Sequence, residues 1–178
     1  MSGPHILVVG GTGMLSGLCE ALAGDGGRLS LLARRASGWR GAPARAFECD
    51  YRDEAAFADA VDAALAANGP VDLAVAWIHD ARLPANRILA ERLGPARLFQ
   101  VLGSATADPA RPDRLQVAAA AAQGLDCQMR QVVLGFQVEA GQSRWLSDDE
   151  ISRGVLAAIR RDEPYCVVGV VEPWAARP

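Results

Sequence analysis

Short apolar runs alternate along the chain with longer, alanine-rich segments whose apolar residues recur every three or four positions. Most of the short runs lack polar alternation, which is typical of parallel strands that are covered on both faces. The predicted strands are His5–Val9, Leu29–Leu32, Ala44–Cys49, Val71–Trp77, Leu98–Leu102, Met129–Leu134 and Tyr165–Val171. Because helical segments separate them, the sequence predicts an α/β fold. We expect a doubly wound parallel sheet with helices on both faces, in a single domain covering residues 1–178.

The predicted helices are marked by apolar periodicity and by capping residues. Apolar residues at helical spacing follow a glycine cluster in one segment and the candidate N-cap Asp53 in another, namely Leu15, Leu18 and Leu22, and then Phe57, Val61 and Leu65. Ser147 and Glu150 have the spacing of a capping box. Leu146 and Ile151 occupy the two positions of a hydrophobic staple around them, so a further helix is predicted to start here.

Net charge and hydropathy argue against nucleic acid and membranes as partners. The formal net charge is −3, and all 18 basic residues are arginines scattered along the chain, so nucleic acid is not an expected partner. No apolar stretch is long enough for a membrane span, and the first residues lack the pattern of a secretory signal. We therefore expect a cytoplasmic protein with no membrane partner. Most of Pro112–Gln123 is expected to be helical, and its alanine-rich run Val117–Ala122 could pair two copies in a homo-oligomer.

The cysteines and histidines do not indicate a metal centre. Four cysteines lie far apart along the chain, and only two histidines are present. No Cys-x-x-Cys spacing occurs, so we expect buried, reduced thiols and no bound metal.

The glycine cluster lies between the first predicted strand and the first predicted helix. Residues 11–16, Gly-Thr-Gly-Met-Leu-Ser, nearly match the dinucleotide fingerprint G-x-G-x-x-G, with Ser16 at the third glycine position. The register Gly10-x-x-Gly13-x-x-x-Gly17 is an alternative. In either register, backbone N–H groups and a helix N-terminus point to where a pyrophosphate would bind. The residues predicted to hold it are Gly10, Gly11, Thr12, Gly13, Met14 and Leu15. The alternative is a tight turn without a ligand.

The end of the second predicted strand indicates which dinucleotide would bind. A site for NAD places a carboxylate here to accept hydrogen bonds from the ribose 2′-hydroxyl, but this chain has Arg34 and Arg35. Two guanidinium groups can bind a 2′-phosphate through charge-assisted hydrogen bonds. The pair therefore favours NADP(H), and the alternative is a solvated pair of arginines.

Over most of its length the chain resembles the short-chain dehydrogenase/reductases. The matched positions are the turn at residues 10–15, the arginine pair and Asp50, which corresponds to an aspartate that this family places near the adenine. Ser104 matches the family's catalytic serine. Gly135 lies in a segment similar to the one along the nicotinamide, with Leu134 in place of proline. The resemblance implies a Rossmann-like NAD(P)-binding domain that transfers hydride to or from a small molecule.

The chain departs from this family in its proton-transfer residues. The family carries a Tyr-x-x-x-Lys pair on the helix after the serine, whereas Leu115–Ala122 contains neither residue. The only tyrosines are Tyr51 and Tyr165, and the chain has no lysine. The usual mechanism therefore does not transfer. The chain is similar to small, atypical bacterial members of the group that lack the pair.

Residues directly after the predicted strands are the candidates for the site, because ligands bind outside the carboxyl ends of the strands in open α/β sheets. His79 is the first candidate for proton transfer, since histidine ionises near neutral pH. Ser104 could orient a carbonyl group or the nicotinamide amide. Tyr51 and Trp77 are assigned to the cofactor, with the Trp77 ring stacking on a flat partner. A purely structural role is the alternative for both His79 and Ser104.

Two segments are expected to determine the substrate, the loops at Asp80–Pro95 and Glu139–Trp145. In the second, Arg144 and Trp145 could fold over a bound cofactor. The other two tryptophans, Trp39 and Trp174, are assigned to packing.

Three classes of function follow from these observations. The first is an NADP(H)-dependent oxidoreductase that acts on a small carbonyl compound or imine without the Tyr/Lys pair. The second is a non-catalytic NADP(H)-binding sensor or partner-binding protein. The third, a serine hydrolase built on Ser104, is disfavoured because no histidine follows this serine and the G-x-S-x-G motif is absent.

Overall fold

The computed structural model of the chain describes residues 3–178. Its strands, in chain order, are β1 (His5–Val9), β2 (Arg28–Ala33), β3 (Ala44–Glu48), β4 (Leu73–Trp77), β5 (Arg97–Gly103), β6 (Gln128–Leu134), β7 (Phe136–Glu139), β8 (Gln142–Trp145) and β9 (Tyr165–Val168). Its α-helices are α1 (Ser16–Gly24), α2 (Glu54–Asn68), α3 (Pro84–Leu93), α4 (Arg114–Ala119) and α5 (Asp148–Arg161).

Seven parallel strands form one sheet in the order β3-β2-β1-β4-β5-β6-β9. One face of the sheet packs against α1 and α5, in a buried cluster that includes Leu18, Phe99 and Val155. The other face packs against α2 and α3, through Phe57 and Leu89. This arrangement is a Rossmann-like, doubly wound α/β fold, as the sequence predicts. The strand order reverses between β1 and β4, and their carboxyl ends border the crevice where such sheets bind ligands.

The predicted helix starts are found at two of the expected caps. Asp53 caps α2 by accepting a hydrogen bond from the Ala56 N–H at 3.0 Å. Ser147 and Glu150 form both hydrogen bonds of the capping box at the start of α5. These local signals are strong because each side chain satisfies a backbone N–H group that the helix leaves without a partner.

Two segments differ from the sequence-based expectation. Asp80–Pro95 was expected to be a loop, but it contains α3, which starts with Pro84 and buries Ala85, Leu89 and Leu93 at helical spacing. Glu139–Trp145 is mostly strand, because β7 and β8 pair as an antiparallel hairpin. Its turn residues, Ala140 and Gly141, both have positive φ values, which suits a two-residue hairpin turn.

The segment predicted as a helix at Pro112–Gln123 is α4 followed by one 3-10 turn at Ala120–Ala122. Two buried or half-buried glutamines hold it against the sheet. Gln100 donates to the carbonyl of Ala118 at 3.3 Å, and Gln131 donates to the carbonyl of Leu115 at 3.0 Å. The short helix is therefore fixed by side chains of β5 and β6 as well as by apolar contacts.

No helix within residues 3–178 is both long enough and apolar enough to cross a membrane. All four cysteines are free and buried, in agreement with the prediction. Burial raises the pKa of the Cys19 thiol to about 12, so this group is not a thiolate at neutral pH.

Candidate functional site

A cleft of about 690 Å³ lies at the carboxyl ends of β1, β2 and β4. We call it the first cleft. It brings together most of the residues assigned to a cofactor by sequence, namely Gly10, Thr12, Gly13, Met14, Arg34, Arg35, Tyr51 and Trp77. Gly11 and Leu15 are instead buried beneath the turn, and Asp50 lies beside the cleft rather than in its wall.

The floor of the turn requires glycine for reasons of packing. Gly10 has a φ of +79°, a conformation that residues with a side chain rarely adopt. A Cβ on Gly11 would come within 2.5 Å of Leu31 and 2.7 Å of the Cys19 sulfur. These two glycines let the turn between β1 and α1 lie directly on the sheet and on the first helix.

At position 13, by contrast, neither packing nor backbone conformation requires a glycine. A Cβ on Gly13 would meet no atom of residues 3–178 within 4 Å, and its φ is not positive. The N–H groups of residues 12–15 donate to no acceptor in the described part of the chain, and Leu15 gives α1 no side-chain cap. The turn therefore presents unused hydrogen-bond donors at a helix N-terminus, and an exposed glycine lets a ligand approach them.

The two arginines after β2 project into the same cleft. Arg34 and Arg35 are exposed, and their guanidinium groups form no ion pair or hydrogen bond with any residue from 3 to 178. Nearby, the Glu48 carboxylate accepts a hydrogen bond from Ser37 instead of pairing with either arginine. The end of the cleft next to β2 therefore carries uncompensated positive charge.

The sequence does not predict the residues that line the first cleft beside these arginines. Trp39 was assigned to packing, but it lines the first cleft together with Arg40 and Gly41. Its indole Nε1 donates to the carbonyl of Ala42 at 2.8 Å, and a Cβ on Gly41 would overlap the indole ring. A tryptophan followed closely by a glycine is a weak signal of such packing, and nothing in the spacing shows that the ring faces a cleft.

A second cleft, of about 170 Å³, lies at the carboxyl ends of β5 and β6. Trp77 lines both clefts, so they adjoin at this residue. The second cleft also contains Ser104 and Gly135, both predicted as site residues, with Trp145 on the hairpin side. Ser104 is only 5% exposed, and it begins the 3-10 turn that follows β5.

The glycine at 135 has a packing explanation. A Cβ there would collide with the backbone carbonyl of Val170. Gly135 also donates from its N–H to the carbonyl of Val168 at 2.9 Å, which continues the pairing of β6 with β9. Its place in the cleft wall is therefore compatible with a cofactor role, but the residue type is already required by the neighbouring backbone.

Arg177, near the end of the given sequence, contacts two residues that line this cleft, Ser104 and Trp145, and no sequence pattern indicates it. Its Nε donates to the Ser104 Oγ at 2.9 Å. Its guanidinium group also lies over the rings of Trp145 and Trp174, at 5.0 and 5.3 Å from their centroids. Trp174, assigned by sequence to packing, therefore supports an arginine at the candidate site.

His79 lies in a third cleft, of about 270 Å³, and not beside Ser104. Its ring meets the edge of the Trp77 ring, with the centroids 5.8 Å apart. Asp80 lines the same cleft but is bound to Arg82, whose hydrogen bonds hold the pKa of that carboxyl below its usual range. The structure thus places the two predicted catalytic residues in different clefts, with Trp77 in contact with His79 and in the wall of the cleft that contains Ser104.

Arg144, expected on a segment that could fold over a cofactor, is engaged in the hairpin instead. It donates to Glu150 at 2.8 and 2.9 Å and to Glu139 at 2.6 Å. The hydrogen bonds from Arg144, followed by the one from the Ser147 N–H, lower the pKa of Glu150 to about 2. Arg144 therefore ties the hairpin to the start of α5, and its neighbour Trp145 is the residue that faces the second cleft.

No protein-family model and no curated protein matches the sequence. Solved structures do share the fold. A double mutant of a short-chain dehydrogenase/reductase from Serratia marcescens aligns with a TM-score of 0.64 at 19% identity, over 95% of this chain and 96% of that chain. A mutant of actinorhodin polyketide ketoreductase with NADPH gives 0.68 at 15% identity, over 95% and 97%. A metagenomic short-chain oxidoreductase in complex with NADP gives 0.63 at 18%, over 96% and 97%. At these identities the likeness establishes the fold alone.

Proposed function

We propose that the chain is an NADP(H)-dependent oxidoreductase of the short-chain dehydrogenase type, acting on a small carbonyl compound or imine. The observation that carries the proposal is the first cleft, which joins the open turn at Gly13 to the unpaired guanidinium groups of Arg34 and Arg35. The NADPH and NADP complexes among the structures of the same fold add support.

The residues of the first cleft fit a dinucleotide that carries a 2′-phosphate. The free N–H groups of residues 12–15 would hold the diphosphate at the N-terminus of α1. Arg34 and Arg35 would bind the 2′-phosphate, because no carboxylate follows β2 to bind a 2′-hydroxyl. Asp50 and Tyr51 would lie on the adenine side, with Trp77 and Gly135 on the nicotinamide side. Residues 1–178 would then act as one NAD(P)-binding domain.

The second cleft is where the chain would orient a substrate. The cofactor, when bound, supplies a hydride. Ser104 accepts a hydrogen bond from Arg177, so its own hydroxyl proton is left to donate to a substrate oxygen or nitrogen. The hydroxyl of this residue, which is 5% exposed as a whole, is fixed by a guanidinium group and is therefore preorganised for this contact.

Proton transfer must proceed without a tyrosine. Tyr51 lines the first cleft and Tyr165 lies in β9, so neither occupies the second cleft. We assign the proton transfer for a carbonyl substrate to His79, which lines the third cleft and packs against Trp77 of the second. An iminium ion already carries its proton, so an imine substrate would need no acid in the hydride step.

A non-catalytic NADP(H) sensor is the second candidate. The absence of tyrosine and lysine from Leu115–Ala122 favours it, because the cofactor cleft is retained while the usual proton donor is not. Such a protein would bind NADPH and then bind a partner, without oxidising the cofactor.

One experiment separates these possibilities. Purified protein is titrated with NADPH and NADH while tryptophan fluorescence is recorded, since Trp39 and Trp77 both line the first cleft. NADPH oxidation at 340 nm is then followed with a panel of small carbonyl compounds and imines. Preferential NADPH binding with turnover supports the oxidoreductase. Binding without turnover across the panel favours the sensor, and no binding of either dinucleotide overturns both.

A further inference from the structure

The setting of Arg177 points to the chemical class of the substrate. Its guanidinium group contacts Ser104 and Trp145, two residues that line the second cleft. The remaining wall is largely apolar and includes Leu134 and Leu146. A small cleft with apolar walls and one fixed cation at its edge recognises a small organic anion.

The guanidinium group is held in place but is not neutralised. Two indole rings, from Trp145 and Trp174, lie against it and restrain it by cation–π contacts. No carboxylate of residues 3–178 lies within ion-pair distance of it. Only its Nε hydrogen bond to Ser104 uses one of the five N–H donors.

Arg177 differs in its partners from two other arginines. Arg82 is paired with Asp80 at 3.1 Å, and Arg144 is bound by two glutamates. Arg111 and Arg114 line the third cleft instead, where Arg114 donates to the carbonyl of Ala105 at 2.7 Å. Arg177 is the arginine that contacts Ser104 directly, and its other side-chain N–H donors have no partner among residues 3–178.

We propose that Arg177 binds a carboxylate of the substrate, so that the second cleft takes a small oxo acid or imino acid. A guanidinium group binds a carboxylate through two paired, charge-assisted hydrogen bonds, whereas an uncharged ketone provides a single neutral acceptor. With the carboxylate on Arg177, the adjacent Ser104 hydroxyl would lie within reach of the oxygen or nitrogen to be reduced. This inference rests on the proposed oxidoreductase function for the reaction, but the anion site itself is testable without turnover.

The test measures binding of 2-oxo acids from pyruvate to 2-oxohexanoate by tryptophan fluorescence and by calorimetry, with and without NADP+. Each acid is compared with its neutral amide, such as pyruvamide. Wild type, Arg177→Gln and Arg177→Lys are compared with Arg153→Gln, which removes an exposed arginine of α5 that pairs with Asp149. Thermal melting of each variant checks that it is folded.

We expect at least one acid to bind wild type and Arg153→Gln alike, and to bind Arg177→Gln about 10- to 100-fold more weakly. Lysine should restore part of the affinity, because it keeps the charge but not the planar pair of donors. The amides should bind all variants equally weakly, and NADP+ affinity should not change. The second cleft would then bind an anion that is not part of the cofactor.

Three results would overturn the inference. In the first, every acid binds wild type and Arg177→Gln equally. In the second, an acid binds Arg177→Gln more tightly than it binds wild type, which would mean that Arg177 blocks the cleft. In the third, NADP+ affinity falls in Arg177→Gln, which would assign the guanidinium group to a cofactor phosphate. NADP+ binding and acid binding are measured separately. If wild type binds the acids but does not bind NADP+, the proposed oxidoreductase function is rejected, whereas the anion site is still supported.

Discussion

Ser152 on α5 donates a hydrogen bond from its Oγ to the backbone carbonyl of Met14, at 2.8 Å. A Cβ on Gly17 would lie 3.3 Å from the same serine, so α1 and α5 approach closely at this point. The turn that presents free N–H groups to the first cleft is thereby fixed by a helix from the other end of the sequence. The resulting rigidity is what a preorganised diphosphate site requires.

Ser152→Ala tests this attachment. The change removes the donor of a partly buried hydrogen bond and leaves the Met14 carbonyl without this donor. We therefore expect the free energy of unfolding to fall by about 1–2 kcal/mol. NADPH affinity should fall as well, because the turn becomes less ordered. Urea unfolding and NADPH titration measure the two effects. Unchanged affinity in a folded variant would show that the turn holds its shape without α5.

Gly11 and Gly13 offer a matched pair of substitutions. Gly11→Ala should destabilise the fold by about 1–3 kcal/mol, since the new methyl group would overlap Leu31 and Cys19. Gly13→Ala should leave the melting temperature nearly unchanged, because its methyl group meets no described atom within 4 Å. It should nevertheless weaken NADPH binding. Normal NADPH binding by Gly13→Ala would argue against a ligand at this turn.

Replacing Arg34 and Arg35 by alanine tests the choice of dinucleotide. Loss of charge-assisted hydrogen bonds to a 2′-phosphate should weaken NADPH binding by about 10- to 100-fold, with little effect on NADH. Arg45→Ala is a suitable control, because this exposed arginine of β3 donates to Ala67 and lies outside the first cleft. An equal loss for NADPH and NADH would remove the 2′-phosphate assignment.

His79→Ala tests the assignment of proton transfer. If His79 is the acid for a carbonyl substrate, the rate should fall by about 10²–10⁴-fold. The same variant should reduce an iminium substrate at close to the normal rate. A normal rate with the carbonyl substrate would return His79 to a structural role against Trp77.

The contact between Arg144 and Glu150 predicts a pH-dependent contribution to stability. The pKa of Glu150 is lowered from 4.5 to about 2, first by its hydrogen bonds with Arg144 and then by the Ser147 N–H. A lowered pKa stabilises the folded chain at pH values above 4.5, and this stabilisation is lost as the pH falls towards 2. The difference in unfolding free energy between wild type and Glu150→Gln should therefore shrink over that range. Urea unfolding at several pH values measures it, and a difference independent of pH would contradict the assignment.

The sequence predicts the sheet and the first cleft well, because their signals are local. Apolar runs locate the seven strands, and the glycine turn and Arg34 each follow directly from the strand before them. α3 was missed because its alanines and arginines are typical of solvent-exposed segments as well as of helices. Only the buried spacing of Ala85, Leu89 and Leu93 shows that it packs on the sheet.

The second cleft could not be predicted in the same way. Arg177 and Ser104 are 73 positions apart, and no periodicity relates them. Trp145 and Trp174 converge on the guanidinium group only after the hairpin and the segment after β9 have folded over the sheet. Contacts of this kind depend on tertiary structure, so a scan of strand ends finds the serine but not its cationic neighbour.

The strand order has a consequence for synthesis on the ribosome. β2 adds to one edge of β1, β3 adds to β2, and β4 then covers the opposite edge of β1. β5, β6 and β9 follow outward on that side in the order in which they are translated. Every new strand of the seven-stranded sheet thus meets an edge that is already present, and none has to be inserted between two earlier ones. A nascent chain can therefore extend its sheet continuously, with only one open edge on each flank to shield from other chains.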